Sequence, residues 1–79
     1  MSESSTYLTA LLYRNLGRMS SALPLLEGAI GTPIESGRIY GLLAEIYESN
    51  GRPDDARDLR QKGQRKFPKD KNLTLPATR

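Results

Sequence analysis

Apolar side chains recur along this chain in four bursts, each at the three-and-four spacing of a helix face and each closed by glycine or proline. The first burst, Tyr7, Leu8, Leu11 and Leu12 with Ala10 and Tyr13 nearby, predicts a helix over 6–16. Gly17 ends it by supplying a left-handed backbone. The second, Ala22, Leu25, Leu26 and Ala29, predicts a helix over 20–30, with Ser20 or Ser21 as its cap and Pro24 tolerated in a first turn whose amides lack partners. Gly31 closes it. Thr32-Pro33-Ile34-Glu35 then has the form of a capping box, so a third helix is expected over 33–50, with Ile39, Leu42, Leu43, Ile46 and Tyr47 as its stripe. Gly51-Arg52-Pro53-Asp54-Asp55 is a second stop–start signal, and a fourth helix is expected over 53–67, ahead of Pro68. Residues 1–5 are polar and serine-rich and read as a frayed terminus. Lys69 to Arg79 has no periodicity and reads as an extended or disordered basic tail.

The bursts are not independent. A shift of 34 residues superimposes Leu8 on Leu42, Ala10 on Ala44, Tyr13 on Tyr47, Gly17 on Gly51, Arg18 on Arg52, Ala22 on Ala56 and Leu25 on Leu59, without a gap. A fixed period of this size marks a repeat architecture in which each unit buries its apolar face on the next. Tyr40-x2-Leu43-Ala44-x2-Tyr47, then Ala56-x3-Arg60, then Pro68, resembles the tetratricopeptide repeat (TPR), whose pattern is W-x2-L-G-x2-Y, A-x3-F and P. In the first copy Thr6, Thr9 and Ile34 depart from that pattern, and the resemblance spans about residues 4–68. It implies an all-α fold: four helices in two antiparallel hairpins, a fragment of a right-handed α-solenoid. The domain would occupy residues 6–68, with repeat one at about 4–34 and repeat two at about 37–68.

The resemblance also implies a non-enzymatic protein-interaction module that holds a protein or peptide on the concave face formed by the first helix of each repeat. Carried over by the shift, that face comprises Ser4, Tyr7, Leu8, Leu11 and Arg14, then Arg38, Gly41, Leu42, Glu45 and Glu48. The expected groove is Tyr7, Leu8, Leu11, Arg14, Arg38, Gly41, Leu42 and Glu45, with Arg38 pairing with an acidic group of the ligand. Some family members clamp a terminal carboxylate with lysine and asparagine. Here the face has no lysine and no asparagine beyond Asn15. Gly41 in mid-helix has two readings, close approach of a ligand or, with Gly37, close contact between two helices.

Seventy-nine residues allow one small domain. Cysteine and histidine are absent, which removes disulfides, thiolate metal sites and the commonest general base. A serine triad lacks its histidine, and no phosphate-binding loop is present. Glu45 with Glu48, and Asp54, Asp55 and Asp58, read as a solvated face and as complements to a helix dipole. No catalytic, cofactor or metal site is therefore expected. No apolar run is long enough to span a membrane and no signal pattern opens the chain, so the expected compartment is cytoplasmic unless the chain is a domain of a longer, targeted protein. The formal charge of +3 lies wholly in the second half of the chain, where 57–71 carries Arg57, Arg60, Lys62, Arg65, Lys66, Lys69 and Lys71 against Asp58 and Asp70. This 57–71 segment offers an alternative function, a helical nucleic-acid-binding domain. Only Phe67 is available as a stacking platform, so we expect a solvated helix and at most weak, salt-sensitive nucleic-acid binding.

Solenoid units generally need about three neighbours and polar caps. The last helix is cap-like, with Arg60 and Gly63 where apolar groups would receive another unit. The first helix carries Tyr7, Leu8, Leu11 and Leu12 with nothing visible to cover them. A homodimer through the first helix is the simplest cover. A self-associating piece of a longer TPR solenoid is the alternative.

Overall fold

Ser2 and Ser36, 34 residues apart, each open a helix by accepting a hydrogen bond from the amide three positions on: Ser5 N–H at 3.1 Å and Ile39 N–H at 3.3 Å. In the computed structural model, which describes residues 2–73, the helices are α1 (Glu3–Asn15), α2 (Met19–Ala29), α3 (Gly37–Ser49) and α4 (Pro53–Lys66), followed by a single 3-10 turn, Lys71–Leu73. The fold is all-α, with no strand among the described residues. Shifted by 34, the limits of α1 become those of α3.

Two helix starts differ from expectation. α1 begins at Glu3, inside the segment expected to fray, because Ser2 caps it. α3 begins at Gly37 rather than Pro33. Thr32 Oγ1 donates to the Ala29 carbonyl at 2.7 Å and so closes α2, and Thr32 to Glu35 forms a turn through a 3.1 Å bond from Glu35 N–H to the Thr32 carbonyl. The carboxylate of the supposed box does reach back, but to Gly31 N–H at 2.9 Å. Ser36 then takes the capping role.

Both hairpin turns use the same device. Gly17 and Gly51 have φ of 77° and 75°, and the next amides, of Arg18 and Arg52, return to the Tyr13 and Tyr47 carbonyls at 2.7 and 2.8 Å. The Gly17 and Gly51 amides bond Arg14 and Glu48, completing a Schellman motif at each site. The Arg18 carbonyl is taken at once by Ser21 and Ala22, so α2 starts at Met19 and neither Ser20 nor Ser21 caps it. Pro24 accordingly lies beyond the first turn, where it removes an amide that would have reached the Ser20 carbonyl.

α1 packs on α2 and α3 on α4, while both α1 and α2 lie against α3. Ala10, Ala22, Ala44 and Ala56 have no exposed surface, so the helices of each hairpin approach closely. α3 is the core: Ile39, Tyr40, Leu42, Leu43, Ala44 and Ile46 are buried, with Leu26 and Ala29 of α2 against them. Leu23, rather than Leu25, is the further α2 leucine packed on this cluster. Thr6, which breaks the repeat pattern, is also buried.

The chain after α4 is not an unstructured tail throughout. Phe67 meets the Tyr40 ring edge-on at 5.9 Å, and Leu73 is fully buried beside Gly63, with Gln64 Nε2 donating to the Leu73 carbonyl at 2.7 Å. A Cβ on Gly63 would lie 3.0 Å from both Leu73 and the Tyr40 ring. The space beside Gly37 is filled by Asp70, whose carboxylate would overlap an added Cβ at 2.0 Å. Gly37 therefore admits the C-terminal segment rather than a neighbouring helix. The expectation for 74–79 falls outside the described residues. Among the described residues, no helix is long and apolar enough to cross a membrane.

Candidate functional site

Parallel placement of α1 and α3 in one register leaves a groove of about 360 Å³ between them, closed on one side by α4. Tyr7, Leu11 and Arg14 line it from α1, Arg38, Gly41, Leu42 and Glu45 from α3, and Arg60 from α4. The structure thus brings together every residue nominated for the groove except Leu8. Leu8 is 58 % exposed and points away from it, because it lies about 100° around the helix from Tyr7. Gly41 lines the groove wall.

The charged groups are arranged as ion pairs. Arg38 grips Glu3 with two hydrogen bonds, Nε to Oε2 at 2.7 Å and Nη2 to Oε1 at 2.8 Å, and Ser36 Oγ adds a third at 2.6 Å. The same guanidinium lies 4.3 Å over the Tyr7 ring and reaches Ser4 Oγ at 3.3 Å. The Arg38 and Ser36 hydrogen bonds hold the Glu3 carboxyl at about 2, well below its ordinary 4.5. Arg38 is therefore already paired within the protein through Nε and Nη2, and a ligand carboxylate taking that bidentate edge displaces Glu3. Arg14 pairs with Glu45 further along the groove. Arg60 bridges to both oxygens of Glu48 at 2.5 and 3.1 Å, which lowers the Glu48 pKa.

Glu3 and Arg60 were not legible as site residues. Glu3 sits in a stretch that reads as frayed, and Arg60 reads as a cap position and a member of the basic segment rather than as a groove residue. The resulting surface is mainly polar, with Tyr7, Leu11 and the buried Leu42 lying between the ion pairs.

Elsewhere charges are likewise taken up. Glu35 accepts from Gly31 N–H, Tyr40 Oη–H at 2.7 Å and Lys66 Nζ at 2.9 Å, so its pKa falls to about 2, the Gly31 amide being the largest cause. Tyr47 Oη–H donates to Glu27 at 2.7 Å, and burial together with that carboxylate pushes the phenol up to about 12. Of the basic residues in 57–71, Arg57, Arg60 and Lys66 pair with Asp54, Glu48 and Glu35, while Lys62, Arg65, Lys69 and Lys71 are exposed. Among the described residues there is no group of three side chains able to hold a metal ion. No family model, no curated protein and no solved structure matches the chain.

Proposed function

We propose that the chain is a two-unit, TPR-like protein-interaction module that binds a segment of another protein along the α1–α3 groove and performs no catalysis. One observation carries this reading. The limits of α1 and α3, their serine caps and the Schellman turns that end them recur at the 34-residue shift, and these two helices present the groove between them. Repetition of backbone chemistry at that period is what stacked helical hairpins require. The ligand lays apolar side chains on Tyr7, Leu11 and Leu42. An acidic group on it exchanges with Glu3 at Arg38, so binding costs little new desolvation. The basic 57–71 segment supports a nucleic-acid reading less well, since three of its cations are held by carboxylates of the protein itself.

The test is a selection of displayed random peptides on the full chain, followed by amide shift mapping with the selected peptides. Shifts should concentrate at Tyr7, Leu11, Gly41 and Leu42, and Tyr7→Ala should weaken binding by about tenfold or more with helicity unchanged. Selected peptides that map to the outer faces of α2 and α4, or that ignore Tyr7→Ala, would sink the groove reading.

A further inference from the structure

Leu8, Leu12 and Leu16 form a strip along the outer face of α1, 58 %, 57 % and 62 % exposed. The strip rises about 12 Å along the helix. It is separate from the groove: Tyr7 and Leu11, its neighbours in sequence, turn inward. The repeat shows what this face is built to do. At the 34-residue shift Leu8 and Leu12 become Leu42 and Ile46, which are buried because the first hairpin covers them. Nothing described covers the first copy.

Charge decides what can. The charged residues of α1, Glu3 and Arg14, are both committed to α3. Every exposed residue of α1 (Ser4, Ser5, Leu8, Leu12 and Asn15), and Leu16 beyond it, is uncharged. The opposite end of the molecule does not match this face. Where the first unit has Leu23 and Leu26 of α2 and then Ile30, the second has Arg57, Arg60 and Gln64 of α4, and the Lys71–Leu73 turn already occupies the space beside Gly63 and Tyr40. Head-to-tail stacking would press leucines onto the Arg57–Asp54 and Arg60–Glu48 pairs and strip them of water. A neutral face against its own copy carries no such cost.

We propose that two copies pair head to head, α1 antiparallel on α1, with Leu12 against Leu12 of the second copy and Leu8 against Leu16. The contact is isologous and closes at two. It is small, so the dimer is weak and concentration-dependent. Tyr7 and Leu11 stay free, and a dimer would present two grooves to a divalent partner. This inference stands on a different surface from the groove and does not depend on what the groove binds.

Sedimentation equilibrium of the full chain tests it. A monomer–dimer equilibrium is expected, weakened by about tenfold or more in Leu12→Glu, with far-UV circular dichroism unchanged because residue 12 faces water. The chain has no cysteine, so oxidation gives an independent readout. Leu12→Cys should cross-link to itself. Leu8→Cys and Leu16→Cys should each fail to cross-link alone and should cross-link to each other when mixed. A monomer at the highest attainable concentration, a dimer indifferent to Leu12→Glu, oligomers that keep growing with concentration, or self-linking by Leu8→Cys as efficient as by Leu12→Cys would each overturn the proposal.

Discussion

α1 and α3 are the same helix placed in two surroundings. They share length, register, serine cap and glycine stop, and both carry an alanine where the partner helix of the hairpin comes close. Yet α3 buries seven of its residues, Gly37, Ile39, Tyr40, Leu42, Leu43, Ala44 and Ile46, whereas α1 buries only Thr6 and Ala10. Identical positions in the pattern, Leu12 and Ile46, are respectively more than half exposed and fully enclosed. The difference comes from neighbours: α3 is flanked by α1, α2, α4 and the Lys71–Leu73 turn, and α1 only by α2 and α3. Burial here belongs to the surfaces that meet a helix rather than to the helix's own pattern.

The contrast is most sharply broken by shortening the two equivalent side chains. Ile46→Ala should cost roughly 2–5 kcal/mol by opening a cavity in the closed core. Leu12→Ala, measured at dilutions that keep the chain monomeric, should change stability by no more than about 0.5 kcal/mol. Urea titrations of both variants decide this. Equal losses would mean that α1 is as enclosed as α3.

A second effect concerns what ties the units together. Glu3 joins α1 to α3 through Arg38, and Glu35 joins the inter-hairpin turn to α4 through Lys66. Both carboxyls are held at about 2, against an ordinary 4.5. The unfolded chain therefore takes up these protons at higher pH than the folded one. The stabilisation is complete above about pH 4.5 and drains away as pH falls towards 2. With screening allowed for, each carboxyl should contribute on the order of 1–2 kcal/mol. Glu35→Gln should lower stability at neutral pH and flatten the acid limb of a pH–stability profile. An unaltered limb would exclude Glu35 as its source.

A smaller contrast lies between two helical glycines. Gly28, in α2, has open space where a Cβ would be, and Gly63, in α4, has Leu73 and Tyr40 in contact with that position. Gly28→Ala should raise stability by about 0.5–1 kcal/mol through helix propensity. Gly63→Ala should lose that gain to crowding. Melting temperatures of the two variants give the comparison directly. Smallest of all is Arg57→Ala, which breaks a pair whose side chains are 62 % and 85 % exposed. It should leave stability unchanged within about 0.5 kcal/mol, whereas Arg60→Ala, whose side chain is 17 % exposed against Glu48, should be measurably worse.

The sequence by itself determined the number of helices, the two glycine-closed hairpins, the alanine contacts and the α3 stripe. These depend on local chemistry: only glycine sits easily at φ near 75°, and an apolar stripe at helical spacing needs a covering surface. Where α3 begins was a contest between Thr32 and Ser36, two equally good caps, settled because the Thr32 hydroxyl closes α2. Tyr7 and Leu8 are both apolar neighbours on one helix, and periodicity fixes the angle between them without saying which side holds another helix. Arg38 is a cation open to any acid on paper, and folding brought Glu3 to it across 35 residues. Leu73 carries no periodic signal, yet it is buried because Gly63 leaves a space for it. Such outcomes rest on which surfaces meet, and distant parts of the chain meet only in the tertiary structure.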